Sequence, residues 1–330
     1  MNKKSFSDVF QSYFHSKYLV DDFLDTKLLE DINFKINNFQ TYSFVSYIKN
    51  KNNQLTTESK KLKDYHTFLN NILFKYMDVH QCVFSYKENT SIYDAISLHK
   101  NNKNYFKTDI KRFFHSINSD LILHCLKNNI DNYPILKDVE SHFNNIIDLI
   151  VYDDSLPVGF VTSPSISNVV LYEFDNLIEQ YCTSNHIIYT RYSDDLIFSA
   201  NEYQILKKLP DIIVSNLQNL YGNKFELNVE KTQFLDKTNK LQLLGLTITP
   251  DGHITVEKHI KENMRQLLYF YMNNKDKFKK LLDEKYDSKL SKAYGGLNYI
   301  NDVDKNFILK LRKKYGNYIV DKFLHGDKSK

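Results

Sequence analysis

Two adjacent aspartates, Asp194 and Asp195, stand between apolar runs in "IIYTRYSDDLIFSA", residues 187 to 200. Like charges repel, so such a pair is acceptable where cations sit between the carboxylates. Two-metal nucleotidyl transfer asks for this: two or three carboxylates converge on two Mg²⁺ ions ~3.5–4 Å apart. The ions neutralise phosphates, lower the pKa of an attacking hydroxyl and hold the leaving group. A third carboxylate, Asp109, ends an apolar run 85 residues upstream in "NYFKTDIKRFFHSI". A second Tyr-Asp-Asp occurs at 152 to 154, but it precedes "SLPVG" and reads as a solvated turn with no following strand to hold it.

The elements that must position these groups follow from periodicity. Residues 187 to 192 and 196 to 200 read as two strands, with 193 to 195 as the tight turn of a hairpin. The run before Asp109 is a short strand opening into a helix, and 119 to 150 continue as helix. In "LPVGFVTSPSISNVVLYEFDNLIEQY" a Pro/Gly/Ser turn leads to a helix reaching about Tyr181, capped by Ser163 or Ser165. A helix covers roughly 203 to 219, and "KLQLLGLTITPDGHITV" is a second hairpin turning at Pro250-Asp251-Gly252. Residues 1 to 80 are mainly helical, with Leu62, Tyr65, Leu69, Ile72 and Leu73 on one stripe. Beyond 256, Ile260, Met264, Leu267, Leu268 and Tyr271 share a helical face, as do Phe307, Ile308, Leu311 and Tyr315. The fold class is α+β, with mixed strands and helices flanked by helical segments.

The chain has 330 residues, 42% of them hydrophobic, enough for about two domains at ~100–200 residues each. Its three cysteines, Cys82, Cys125 and Cys182, have no CxxC spacing. A zinc site or disulfide framework is not expected, and a reducing cytoplasm fits. No apolar run of ~20 residues suggests a membrane partner. Residues 258 to 330 hold 18 Lys and Arg against 9 Asp and Glu, a net of +9, while the rest carries −5. A basic end beside an acidic body suits a bound polyanion and a carboxylate metal site. The competing reading is a solvated lysine-rich face.

At this point the chain resembles the reverse transcriptase family. "TDIKRFFHSI" is similar to its motif A, "LPVGFVTSPSISN" to motif B, "RYSDDLIFS" to the YxDD of motif C and "LNVEKTQF" to motif D, in order over roughly residues 60 to 250. The finer resemblance is to bacterial retron and defence-associated enzymes, which "AYGGLNYINDVDKNFILKLRKKYG" resembles at their thumb end. The chain departs from them at Ala95-Ile96, where an Asn-Ala-x-x-His element keeps only His99, and at Leu243-Leu244-Gly245, in place of Val-Thr-Gly. Motif B departs at Val158 and Phe160-Val161.

The resemblance implies a right-hand polymerase: fingers about 1–105, palm 106–250 and a basic helical thumb 251–330. Asp109 and Asp194 are the metal ligands, with the Ile110 carbonyl a backbone ligand; Asp195 is a ligand or a nearby charge. The cofactor is Mg²⁺, two ions, for which Mn²⁺ can substitute. Phe114 is the steric gate against a 2′-hydroxyl, which implies dNTP substrates. Gly159 allows close backbone approach to nucleotide or template, Ser163 and Asn168 shape the helix flanking the nascent base pair, and Tyr192 packs beside the primer end. Lys231 protonates the leaving pyrophosphate or is a surface lysine. His99 contacts RNA or fills a core. Lys310, Arg312, Lys313 and Lys314 track phosphates of an RNA·DNA duplex. Lys49, Lys51, Lys61 and Lys63 stand where the fingers carry basic residues. The implied partners are a structured non-coding RNA serving as template and primer, the RNA·DNA product and a toxin or effector protein, in bacterial antiphage defence. Two rivals remain: a protein-primed or untemplated DNA polymerase of the abortive-infection kind, and a catalytically silent RNA-binding scaffold.

Overall fold

The computed structural model describes residues 3–18 and 57–326. Two helices open the described chain, α1 (Phe6–Tyr18) and α2 (Thr57–Ile72). Phe6, Phe10 and Phe14 recur every four residues along α1 and bury one aromatic stripe. The rings of Phe10 and Phe14 lie 5.6 and 4.6 Å from that of Tyr65 on α2, whose expected stripe Leu62, Tyr65 and Leu69 is buried. There follow α3 (Ile92–His99), β1 (Asn104–Asp109), α4 (Ser119–Asn128), α5 (Phe143–Ile150), α6 (Ser163–Val170), α7 (Tyr172–Ser184), β2 (Ile188–Tyr192) and β3 (Asp195–Ala200). Then come α8 (Tyr203–Leu206), α9 (Leu209–Tyr221), β4 (Gln233–Asp236), β5 (Leu241–Leu243), β6 (Leu246–Ile248) and β7 (Ile254–Val256). Five helices close the chain: α10 (Lys258–Asn273), α11 (Lys275–Tyr286), α12 (Leu290–Val303), α13 (Lys305–Tyr315) and α14 (Asn317–His325).

The described residues fall into two compact units. One holds those up to Thr90 with Phe106–Phe198 and Tyr203–Gln233; the other holds Ser91–Tyr105, Ser199–Glu202 and those from Phe234 onward. One sheet has the order β2-β3-β1-β4, so the strand ending in Asp109 lies directly beside the strand beginning at Asp195. Cys82, Cys125 and Cys182 are all buried, free thiols of the first unit, and burial pushes the Cys125 and Cys182 thiols up to about 12. No helix among the described residues is long and apolar enough to cross a membrane.

Several local expectations are corrected. The helix expected over 119–150 breaks after Asn128, because the Asn129 amide turns back to the Cys125 carbonyl at 2.9 Å and accepts the Asp78 N–H at 2.7 Å. The helix expected to reach Tyr181 breaks at Leu171 and resumes to Ser184. Neither Ser163 nor Ser165 caps it: Thr162 holds that position without a side-chain cap bond. The second hairpin is a three-stranded meander, with Leu241 opposite Ile248 and Leu246 opposite Val256. Its extra turn is Leu244-Gly245, with φ of 48° and 78°, the left-handed pair that two-residue hairpin loops use.

In the second unit, α3 starts in a capping box: Ser91 Oγ accepts the Asp94 N–H and Asp94 accepts the Ser91 N–H. It packs on β6 and β7. Asp304 ties the helical part together. Its carboxylate accepts from Thr255 Oγ1 at 2.6 Å, Lys261 Nζ at 2.5 Å and the Phe307 N–H at 2.9 Å, joining β7, α10 and the start of α13.

Candidate active site

Asp109 is the last residue of β1, and Asp194 and Asp195 sit where β2 turns into β3. The strands meet at these residues: the Ile110 N–H donates to the Asp194 carbonyl at 3.1 Å. The chain just before β4 closes the other side, where the Asn228 N–H donates to the Asp109 carbonyl at 2.9 Å and Lys111 N–H to Glu226 at 2.8 Å. Asp109 and Lys231 are thereby carried on paired segments. The Lys231 ammonium lies 2.5 Å from Asp109 Oδ2. The stem of Lys231 is exposed, and the hydrogen bond and charge of Asp109 raise its pKa.

Asp109 is buried, and among the described residues its Oδ1 has no hydrogen-bond partner. Burial, and then the charge of Asp109, raise the pKa of Asp194. Asp195 is pushed up to about 6 by burial and then by repulsion from Asp194 and Asp109. By donor chemistry the three carboxylates, with one orphaned buried oxygen and the Lys231 ammonium beside them, suit a hard divalent cation, although their side chains are not drawn together as a ligand set. Among the described residues, no group of three or more His, Cys, Asp or Glu side chains is arranged to hold a metal ion.

The turn bearing the pair is held from beneath. Ser193 has φ of 59°, a left-handed conformation that costs a non-glycine residue about 1 kcal/mol or more. Both its backbone groups are held: its N–H donates to Ser85 Oγ at 2.8 Å and its carbonyl accepts from Arg191 Nη1 at 3.1 Å. Arg191 is fully buried and paired with Asp175 of α7 at 2.6 Å; Tyr189 also donates to Asp175, at 2.8 Å. The sequence reading missed Ser85, Asp175 and Arg191. The one available signal was an arginine set within the apolar and aromatic run of β2.

Phe114 is half-buried, with its carbonyl accepting the Leu156 N–H at 3.2 Å; neighbouring Phe113 is core. Gly159, at φ of 104°, is exposed between the exposed Val158 and the buried Phe160, whose ring lies 4.8 Å from that of His66. Ser163 is buried and donates to the Pro157 carbonyl at 2.6 Å. Asn168 is buried and bonded to Ser85, its Oδ1 accepting from Ser85 Oγ at 2.9 Å. The half-buried Tyr192 ring lies 6.5 Å from that of Tyr86.

In the second unit, His99 is fully buried with Nδ1 2.7 Å from Ser199 Oγ, and burial lowers its pKa to about 3. The ring is neutral and has no exposed edge. On α13, Lys310, Lys313 and Lys314 are exposed, while Arg312 reaches Asp321 at 2.7 Å. Lys49, Lys51 and the Lys61 side chain lie outside the described residues; Lys63 is exposed.

The sequence profile described as reverse transcriptase (RNA-dependent DNA polymerase) matches residues 49–248, more than half of the chain. Among curated proteins, the chain is 29% identical over 265 residues to the Retron Ec73 reverse transcriptase of Escherichia coli, covering 78% of this chain and 81% of that protein. It is 26% identical over 255 residues to the Retron Ec83 reverse transcriptase of the same organism, covering 74% and 77%. Among solved structures, a telomerase from Candida albicans bound to a fragment of telomeric RNA matches with a TM-score of 0.45 and 14% identity, over 84% of this chain and 55% of that one.

Proposed function

The chain belongs to the reverse transcriptase family, and on that premise we propose that it is a retron-type RNA-directed DNA polymerase. It extends a primer hydroxyl by attack on the α-phosphate of a dNTP, copying a dedicated structured non-coding RNA. The observation that carries this reading is the juxtaposition of Asp109, at the end of β1, and Asp194, in the turn that leads into the neighbouring β3, through the bond from Ile110 N–H to the Asp194 carbonyl. The division into fingers 1–105, palm 106–250 and thumb 251–330 goes with it. So do a cytoplasmic setting, an effector protein partner and a role in antiphage defence.

Asp109, Asp194, Asp195 and the Ile110 carbonyl would hold two Mg²⁺ ions, or Mn²⁺ in their place. Those ions supply charge neutralisation at the phosphates and an acidified primer hydroxyl. Lys231, on its exposed stem, stays cationic at neutral pH and reaches the same carboxylate edge, so it can give a proton to the departing pyrophosphate. Phe114 closes the space beside the sugar, and Gly159 admits the nucleotide or template to the backbone.

The test is dNTP incorporation on a primer–template with Mg²⁺. Asp194→Asn with Asp195→Asn should abolish incorporation and leave folding and RNA binding intact. Asp153→Asn with Asp154→Asn should leave it unchanged. Both residues have positive φ, of 51° and 47°, which Asn tolerates, and Asn can still accept the Ser119 N–H that Asp154 holds at 3.0 Å. A dead 153–154 variant beside an active 194–195 variant overturns the choice of pair. Sequencing the product decides against the untemplated reading if it is a fixed cDNA complementary to one RNA.

A further inference from the structure

Ser85 lies outside every motif that carries the family resemblance, yet its hydroxyl sits under the aspartate turn. It is fully buried. Its Oγ accepts the Ser193 N–H at 2.8 Å and donates to Asn168 Oδ1 at 2.9 Å, and Asn168 Nδ2 donates back to the Ser85 carbonyl at 2.7 Å. The Asn168 carbonyl in turn accepts Arg191 Nη2 at 2.8 Å, and Arg191 Nη1 holds the Ser193 carbonyl. The ring of bonds therefore runs Ser193, Ser85, Asn168, Arg191 and back to Ser193. Asn168 is on α6, the helix that follows the loop at Gly159.

We propose that Ser85 is a positioning residue that sets the direction of the Asp194 and Asp195 carboxylates and couples them to α6. This rests on the reading of the aspartate pair as catalytic. The physical reason is the left-handed Ser193. Without a side chain to hold its N–H, the turn can relax toward an ordinary conformation and swing the next two carboxylates. Hydrogen bonds to the two peptide groups on either side of the Ser193 Cα over-determine that backbone. A displacement of about 1 Å in such a group costs roughly 100-fold in rate. Because one hydroxyl serves both Ser193 and Asn168, losing either partner opens the same ring.

The experiment compares Ser85→Ala, Asn168→Ala, their double variant and Ser85→Cys in the full chain, with Asp194→Asn/Asp195→Asn as control. The readouts are kcat per titrated active site, KM for dNTP and Mn²⁺ binding by electron paramagnetic resonance. Ser85→Ala should lower kcat by roughly 10- to 100-fold, shift KM by less than about threefold and weaken Mn²⁺ binding. The double variant should be no worse than the poorer single one, because residues acting as a unit are non-additive. Ser85→Cys, close in volume and a weak acceptor, should fall between wild type and Ser85→Ala, and it keeps the test open if the alanine variant does not fold. An unchanged kcat per active site, unchanged Mn²⁺ binding, or losses that multiply in the double variant overturns the proposal. If the aspartate control itself incorporates dNTPs, the underlying reading fails instead.

Discussion

Arg191 and Asp175 face each other with no solvent on either side: Nε lies 2.9 and 3.0 Å from the two carboxylate oxygens and Nη2 lies 2.6 Å from one of them. Removing one member strands a buried charge, which costs about 3–5 kcal/mol. Asp175→Ala should therefore lower the denaturation midpoint of the chain sharply. Asp175→Ala with Arg191→Met should recover part of that loss, because no charge is left behind. A double variant less stable than Asp175→Ala would refute this account.

Phe114→Val should open space beside the sugar and reduce the preference for dNTP over NTP by on the order of 10- to 100-fold. Its partner in sequence, Phe113, is buried, with its ring 5.8 Å from that of Phe225, so Phe113→Val should lose stability without changing sugar selectivity. Competition between dCTP and CTP on one template position measures both. Equal selectivity in wild type and Phe114→Val would return Phe114 to packing.

Lys310, Lys313 and Lys314 are exposed, Lys314 with its ammonium 5.3 Å from the Tyr315 ring, whereas Arg312 is engaged with Asp321. Replacing the three lysines by Gln should flatten the log–log salt dependence of RNA binding by about 2 to 3 units, at roughly −0.7 to −0.9 per phosphate contact. Arg312→Gln should act mainly on stability, since it breaks the tie between α13 and α14. Binding titrations from low to moderate salt check this, and a wild-type slope in the triple variant would place RNA contacts elsewhere.

Asp304 predicts a pH dependence. Burial alone would raise its pKa, but hydrogen bonds from Lys261, Thr255 and the Phe307 N–H outweigh it and lower the value from 3.8 to about 2. A carboxylate depressed on folding stabilises above its unfolded pKa and loses that contribution as pH falls through the folded one. The contribution, on the order of 2 kcal/mol, is complete at neutral pH and disappears between about pH 4 and pH 2. Asp304→Asn should be less stable than wild type at pH 7, with the difference shrinking toward pH 2. Urea unfolding at several pH values measures it.

The hairpin around Asp194 and the strand into Asp109 were legible because both are short, largely apolar runs ended by a charge. The sequence profile and the curated retron enzymes agree with the family that four ordered motifs suggested. The break after Asn128 was also written locally, in "NNIDNYP", but the apolar helical period on either side masked it. The break at Leu171 has no Gly or Pro to announce it. Of the ring beneath the turn only Arg191 left a local sign, and its closure could not be read. It joins Ser85 to Asn168 and Ser193 across 83 and 108 residues, and no short pattern encodes such a separation.

The burial of all three cysteines has a practical consequence for labelling. Thiol reagents attack the thiolate, and these groups are both shielded and held protonated at neutral pH. The native chain is in effect a cysteine-free background for maleimide chemistry. One cysteine introduced at an exposed position, such as Lys313→Cys on α13, would carry a fluorophore or spin label alone. The motion of the basic helix during cDNA synthesis could then be followed with the original thiols left in place.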